Sequence, residues 1–174
     1  MGALFSKEDE SKGYTFKLHD VSKRFDTRED VLSAFPELDE SQSITEVVLS
    51  LNSYSVEACG VVAELISHYP SITSADLSDM FTGRLRSEVV ESMQVLSSSF
   101  AAQSLQYLDV SNNAFGPDGV RSFQSLLESA NNLVELHINN NGLGPMGAEL
   151  VAQGIRNLRL EVFCSARNLS LIHI

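Results

Sequence analysis

The sequence predicts an α/β solenoid, with short strands lining a concave face and helices outside, and three observations predict it. One pattern is written twice: residues 105–119, with Leu105, Leu108, Val110 and Asn113, recur 28 residues later as 133–147, with Leu133, Leu136, Ile138 and Asn141. Looser copies begin at Ile44, Ile72 and Leu160, so successive starts lie 28, 33, 28 and 27 residues apart. In both full copies Gly-Pro follows the asparagine, as Gly116-Pro117 and Gly144-Pro145.

The pattern L-x-x-L-x-[IV]-x-x-N is a leucine-rich repeat of the long, helix-bearing, ribonuclease-inhibitor-like kind. Alternation of Leu108 with Val110, and of Leu136 with Ile138, makes a short strand with one inward face. The closing asparagine turns the chain, and its amide can satisfy buried backbone groups. Gly-Pro then opens a helix, because proline in a first helical turn gives up only an N–H that had no partner. No unit of this size closes a core alone, so neighbouring units must stack.

Residues 1–12 read as a flexible N-terminus. They carry Met1-Gly2 and Ser6 in the M-G-x-x-x-[ST] pattern, which makes Gly2 a candidate for N-myristoylation. A single acyl chain gives only weak, reversible membrane association, and Glu8, Asp9 and Glu10 supply no basic second signal. Residues 13–43 read as the cap that covers the first repeat's apolar edge, with a strand over 14–18 and a short helix over 28–35. The repeats occupy 44–168, four and the start of a fifth. The first has Ile44, Val47, Leu49 and Asn52, then a helix from Ser55 to His68 that Pro70 stops. The second has Ile72, Ala75, Leu77 and Met80, then a helix from about Ser87 to Phe100. It is about five residues too long, and the excess is expected near 81–86, where an insertion forms a loop on one face, often the binding face. The fifth begins with Leu160, Phe163, Ser165 and Asn168. The apolar stretch 169–174 shows neither helix nor polar cap, so it reads as an aberrant or truncated terminus.

A formal charge of −11 and a pI near 4.7 argue against nucleic acid as a partner, since phosphate binding needs a basic stripe. A protein with a basic surface fits better. Cys59 and Cys164 lie far apart, match neither a disulfide framework nor a metal site, and occupy positions a repeat should bury, which points to a reducing compartment. No apolar run reaches the ~18 residues of a membrane span, and no secretory leader is legible. His19, His68, His137 and His173 share no metal-like spacing, and no phosphate loop is present, so neither metal nor cofactor is expected. Residues 142–147 spell G-x-G-x-x-G, but Pro145 removes an N–H from the turn, and residues 113–119 share all but the first glycine. The spacing belongs to the repeat, and direct nucleotide binding is not expected.

The side chains left to carry function are those alternating outward: Glu46, Asp76, Asp109, Glu135 and His137 on the strands. Asp79, Arg84, Arg86, Asn112, Asn139 and Asn140 stand in the turns that follow. Each singly is ordinary polar surface. Together they form an acidic concave face with an arginine loop, as a protein-binding solenoid presents.

Three motifs in order carry a resemblance: Asp79-Met80-Phe81-Thr82-Gly83-Arg84, then Ser111-Asn112-Asn113-Ala114-Phe115-Gly116-Pro117, then Asn140-Asn141-Gly142-Leu143-Gly144-Pro145. They closely resemble the Ran GTPase-activating proteins, a leucine-rich-repeat family, and residues 164–168 look like the start of that family's next repeat. The similarity runs from about Ile44 to Asn168, the N-terminal part of a longer array. The resemblance implies that the partner is the GTP-bound form of Ran, whose own glutamine orients the attacking water, and that no arginine finger is inserted. It implies that Arg84 is an essential rim arginine and that Asn140 positions the catalytic glutamine. Arg86, Asp79, Asn112, Asn139 and Asn141 then make further partner contacts. The chain would be an activator, not an enzyme, acting in nucleocytoplasmic transport from the cytoplasm, the nuclear envelope or a weak membrane attachment. The alternative is a non-catalytic repeat scaffold that binds another protein.

Overall fold

The computed structural model describes residues 4–6, 14–17, 22–35 and 43–168. In chain order its elements are β1 (Leu4–Ser6), β2 (Tyr14–Lys17), β3 (Arg24–Phe25), α1 (Arg28–Ala34), β4 (Ile44–Val48), β5 (Ser53–Tyr54) and α2 (Val56–Ser67). There follow β6 (Ser74–Asp76), α3 (Arg86–Phe100), β7 (Tyr107–Asp109), α4 (Gly116–Ser129), β8 (Glu135–His137), α5 (Gly144–Ile155) and β9 (Val162–Cys164).

Alternation within each motif decides which side chains enter the core. Val47, Ala75, Leu108 and Leu136 are in register across β4, β6, β7 and β8, and all four are buried. The strands lie in the order β1-β2-β4-β6-β7-β8-β9, and from β2 onward every neighbouring pair is parallel, the pattern that strand–helix repeats produce when each helix crosses back to start the next strand. Helices α2 to α5 pack successively on one another along one side of the sheet. Between the two layers lie Leu77, Leu96, Phe100, Phe115, Phe123, Leu127 and Ile138, all essentially without solvent exposure.

The asparagines tie the units together. Asn113 Oδ1 accepts from the Met80 N–H at 2.9 Å, Asn141 Oδ1 from the Asn113 N–H at 2.8 Å, and Asn168 Oδ1 from the Asn141 N–H at 2.7 Å. Their Nδ2 groups donate to carbonyls of the preceding unit, at Leu77, Val110 and Ile138 respectively. A buried turn would otherwise strand these backbone groups, so one residue type solves the same problem once per repeat.

Gly144 and Gly147 each have a structural role in the repeat. Gly144 opens α5 at φ 60°, in the left-handed region, just as Gly116 opens α4 at φ 58°. A Cβ on Gly147 would lie 2.9 Å from Leu143 Cβ, so the third glycine is required by packing within the helix start.

At the first repeat's edge, β2 extends the main sheet by pairing in parallel with β4, and Phe16, Phe25, Val31 and Phe35 fill the core. Helix α1 begins with a capping box in which Thr27 and Asp30 satisfy each other's backbone N–H groups. The small second sheet, β3 with β5, joins this segment to the first repeat.

Three expectations need correction. Residues 4–6, expected to belong to a flexible tail, form a strand antiparallel to β2 at the end of the sheet order among the described residues. Gly2 and residues 169–174 lie outside the described residues. The excess in the second unit is shared: nine residues lie between Asp76 and Arg86, against six between Asp109 and Gly116 and six between His137 and Gly144. Only part of it is therefore loop, and α3, at 15 residues against 14 in α4 and 12 in α5, takes up more. Cys59 is buried as expected, but Cys164 is only half-buried, because β9 places it in the outward-facing register of His137.

Candidate functional site

The turns that follow the strands form one edge of the sheet. Leu51, Asp79, Asn112, Asn140 and Arg167 occupy it in successive units, all with left-handed backbone, at φ 63°, 47°, 61°, 52° and 55°. Adjacent turns are stitched by backbone bonds such as the Asp79 N–H to Ser111 O and the Asn112 N–H to Asn139 O, each 2.9 Å. Asparagine and aspartate tolerate this conformation better than other L-residues, which is one reason the motif carries them there.

Asn112 and Asn140 are exposed at this edge, and Asn140 Nδ2 donates to Asn112 Oδ1 at 3.0 Å. The bond pre-orients both amides without removing either from solvent. Asn139 is half-buried. Its Oδ1 accepts from the Ala166 N–H at 2.7 Å, and its own N–H donates to Ser111 Oγ at 3.0 Å, so it braces the turn. Asn141, expected among the partner contacts, is fully buried, with both ends of its amide spent on the ladder. That placement corrects the expectation, because the residue closing the strand must face the core.

The second unit supplies the arginines, and they behave oppositely. Arg84, expected to reach out to a partner, has a side chain only 1% exposed and turned toward the first repeat and the N-terminal segment. Its Nε donates to Ser53 Oγ at 2.9 Å, its Nη2 to the carbonyls of Phe25 and Ser53 at 3.0 Å each, and its Nη1 to the Asp26 carboxylate. A guanidinium desolvated to this extent is held in place by filling its donor fork with acceptors. Asp26 is itself held below the ordinary carboxylate range, first by the Arg84 hydrogen bond and then by Arg24. Arg86, by contrast, is 61% exposed. It pairs with Asp118 at 3.1 Å and lies over Gly116, where a Cβ would fall 2.7 Å from its Nη2. Arg86 is therefore an accessible cation on the side of Asn112, and Arg167, also exposed, stands in the turn next to Asn140.

Two depressions flank the 81–86 loop. One, of about 550 Å³, is bounded by Ser22, Arg24, Leu51, Ser53, Asp79 and Thr82. The other, of about 310 Å³, lies between Thr82, Arg84 and Arg86 on one side and Asn112 and Ala114 on the other. Asp79 is half-buried and accepts from Thr82 Oγ1 at 2.9 Å, which stiffens the loop's first turn.

The concave face is acidic as expected. Asp76, Asp109 and His137 stand in register, and so do Ser74, Tyr107 and Glu135, with Glu46 next in that row. Burial, followed by the charges of Asp109, Asp76, Glu135 and Glu46, pushes the Tyr107 hydroxyl up to about 12. His137 is half-buried, 2.6 Å from Glu135 and with its ring 5.5 Å from that of Tyr107.

Sequence reasoning missed Asp26, Phe25 and Ser53 as the residues that receive Arg84. Asp26 lies 58 residues from Arg84, and no local spacing announces a contact made only when the N-terminal segment folds over the first repeat.

The sequence model described as "Leucine Rich repeat" matches residues 101–123 and 129–152. The chain is similar to "Ran GTPase-activating protein 1" of Xenopus laevis, 36% identical over 172 residues, covering 90% of this chain and 28% of that protein. It is 32% identical to "Ran GTPase-activating protein" of Drosophila melanogaster over 83% of this chain and 27% of the relative. It is also 32% identical to "Ran GTPase-activating protein 2" of Caenorhabditis elegans, over 86% of this chain and 17% of the relative. The chain thus spans between about a sixth and somewhat more than a quarter of the length of these relatives.

Proposed function

We propose, from the premise that this chain belongs to the family of Ran GTPase-activating proteins, that it binds GTP-bound Ran and accelerates GTP hydrolysis while Ran carries out the chemistry. In this reading the chain is a regulator and not itself an enzyme. It needs no cofactor and touches the nucleotide only through its partner. Its work in the cell is to keep cytoplasmic Ran in the GDP form for nucleocytoplasmic transport.

The observation that carries the reading is the exposed, hydrogen-bonded pair Asn112–Asn140 on the turn edge. Asn140 spends its Nδ2 on Asn112, which leaves its carbonyl oxygen to hold an amide N–H of Ran's catalytic glutamine. A glutamine held in that way orients the attacking water, and positioning of this kind is worth ~10²-fold or more in rate. Arg86 adds an accessible positive charge on the Asn112 side of the pair. Arg84 contributes no finger in this reading, because its guanidinium is already committed within the chain.

Phosphate release from GTP-loaded Ran under single-turnover conditions tests the proposal. The chain should accelerate it, and Asn140→Gly, which removes the amide at a position of left-handed backbone, should abolish most of the acceleration. A folded chain that binds GTP-loaded Ran without accelerating release would turn the assignment toward a non-catalytic scaffold.

A further inference from the structure

We infer that Asp26, in the N-terminal segment, is a positioning residue for GTPase activation: through Arg84 it holds the 81–86 loop in the shape that presents Arg86 and Asp79 at the edge. The inference rests on the function proposed above and adds a residue that lies outside the repeats.

The loop after β6 is pinned at its start by buried Met80 and Phe81, and fewer bonds hold the stretch from Thr82 to α3. Ser53 Oγ donates to Thr82 O at 2.8 Å, the Arg84 N–H closes back on Phe81 O at 3.0 Å, and Thr82 Oγ1 reaches Asp79. Arg84 is the bolt that joins this loop to two other parts of the chain, and three of its four acceptors are neutral. Asp26 is the one carboxylate among those acceptors. A desolvated guanidinium that loses its anion keeps the cost of burial without the compensating charge. Its long stem allows a cheaper arrangement, in which the head swings out to water.

Such a swing cannot leave the edge unchanged. Arg86 is two residues away and begins α3, where Leu85 offers no capping side chain and only the Glu88 carboxylate receives the Leu85 N–H. Displacing Arg84 therefore moves the start of α3, the Arg86–Asp118 pair and the wall of the depression shared with Asn112. Asp26 itself is 47% exposed in its side chain and fills no part of the core, so its replacement leaves no cavity. Its effect on activity is transmitted through Arg84.

The test compares Asp26→Asn, which keeps the shape and removes the charge, with Asp26→Glu, which restores the charge on a longer stem. Stimulated hydrolysis of GTP-loaded Ran is measured at saturating and sub-saturating protein, alongside thermal melting and limited trypsin digestion. Asp26→Asn should lower the saturated rate by ~10- to 100-fold, as a displaced positioning element does, at temperatures well below its melting transition. Asp26→Glu should recover a large part of that loss. Trypsin should cut the Arg84–Leu85 bond faster in Asp26→Asn, since the enzyme needs the arginine head that the native fold buries. An Asp26→Asn protein with the unaltered saturated rate overturns the inference, as does a loss that merely follows the unfolded fraction. Absence of stimulation by the unaltered chain removes the proposed function, and this inference with it; normal stimulation by Asp26→Asn removes the inference alone.

Discussion

Asn140 and Asn112, 28 residues apart, meet side chain to side chain across two turns of the same left-handed conformation, with Nδ2 of the first on Oδ1 of the second at 3.0 Å. The pair exists because the repeat period sets one turn directly beside the next. Both side chains face water, so their bond organises a surface and adds little to folding.

That difference gives the first prediction. Asn140→Gly keeps a residue at ease at φ 52° while removing the amide. Stability in urea should change by no more than about 0.5 kcal/mol, while stimulated phosphate release from Ran falls ~10²-fold. Asn140→Ala confounds the two effects, because alanine adds about 1–2 kcal/mol of left-handed strain.

Its neighbour in sequence should behave in the opposite way. Asn141→Ala strands the buried N–H of Asn113 and removes a donor from Val110 O, so unfolding in urea should show a loss of about 2–3 kcal/mol. Activity per folded molecule should change far less than for Asn140→Gly.

Arg84→Lys preserves charge and discards geometry. One ammonium cannot reach Ser53 Oγ, two carbonyls and the Asp26 carboxylate together, so stability should fall by about 1–3 kcal/mol. A lysine variant as stable as the parent in equilibrium unfolding would argue against the clamp.

Acid should loosen the N-terminal segment. Asp26 and Asp30 are both held below the ordinary 3.8, Asp26 chiefly by Arg84 and Asp30 chiefly by the Thr27 backbone N–H. Above 3.8 their carboxylates are ionised in both folded and unfolded chains, and their contribution is fully present. As pH falls below 3.8 the unfolded chain takes up protons first, and the contribution is lost until the folded values are passed. Melting temperatures followed by circular dichroism should therefore drop across this window, and Asp30→Asn should flatten the decline.

The repeat architecture was legible in the chain because its causes are local and periodic. Alternation puts Leu108 and Leu136 inside, Gly-Pro starts α4 and α5, and an asparagine at a constant offset closes each strand. The same periodicity turned Asn112 and Asn140 outward and Asn113 inward, whereas the motif match counts the buried Asn141 among the partner contacts. Arg84 was not legible in this way. Its motif suggested a side chain reaching for a partner, yet where it points is set by Asp26, Phe25 and Ser53, brought beside it by the packing of the N-terminal segment on the first repeat. Periodicity determines which face of a unit a residue occupies. Whether a long charged side chain on that face stays in solvent depends on acceptors distant in sequence, and tertiary structure alone assembles those.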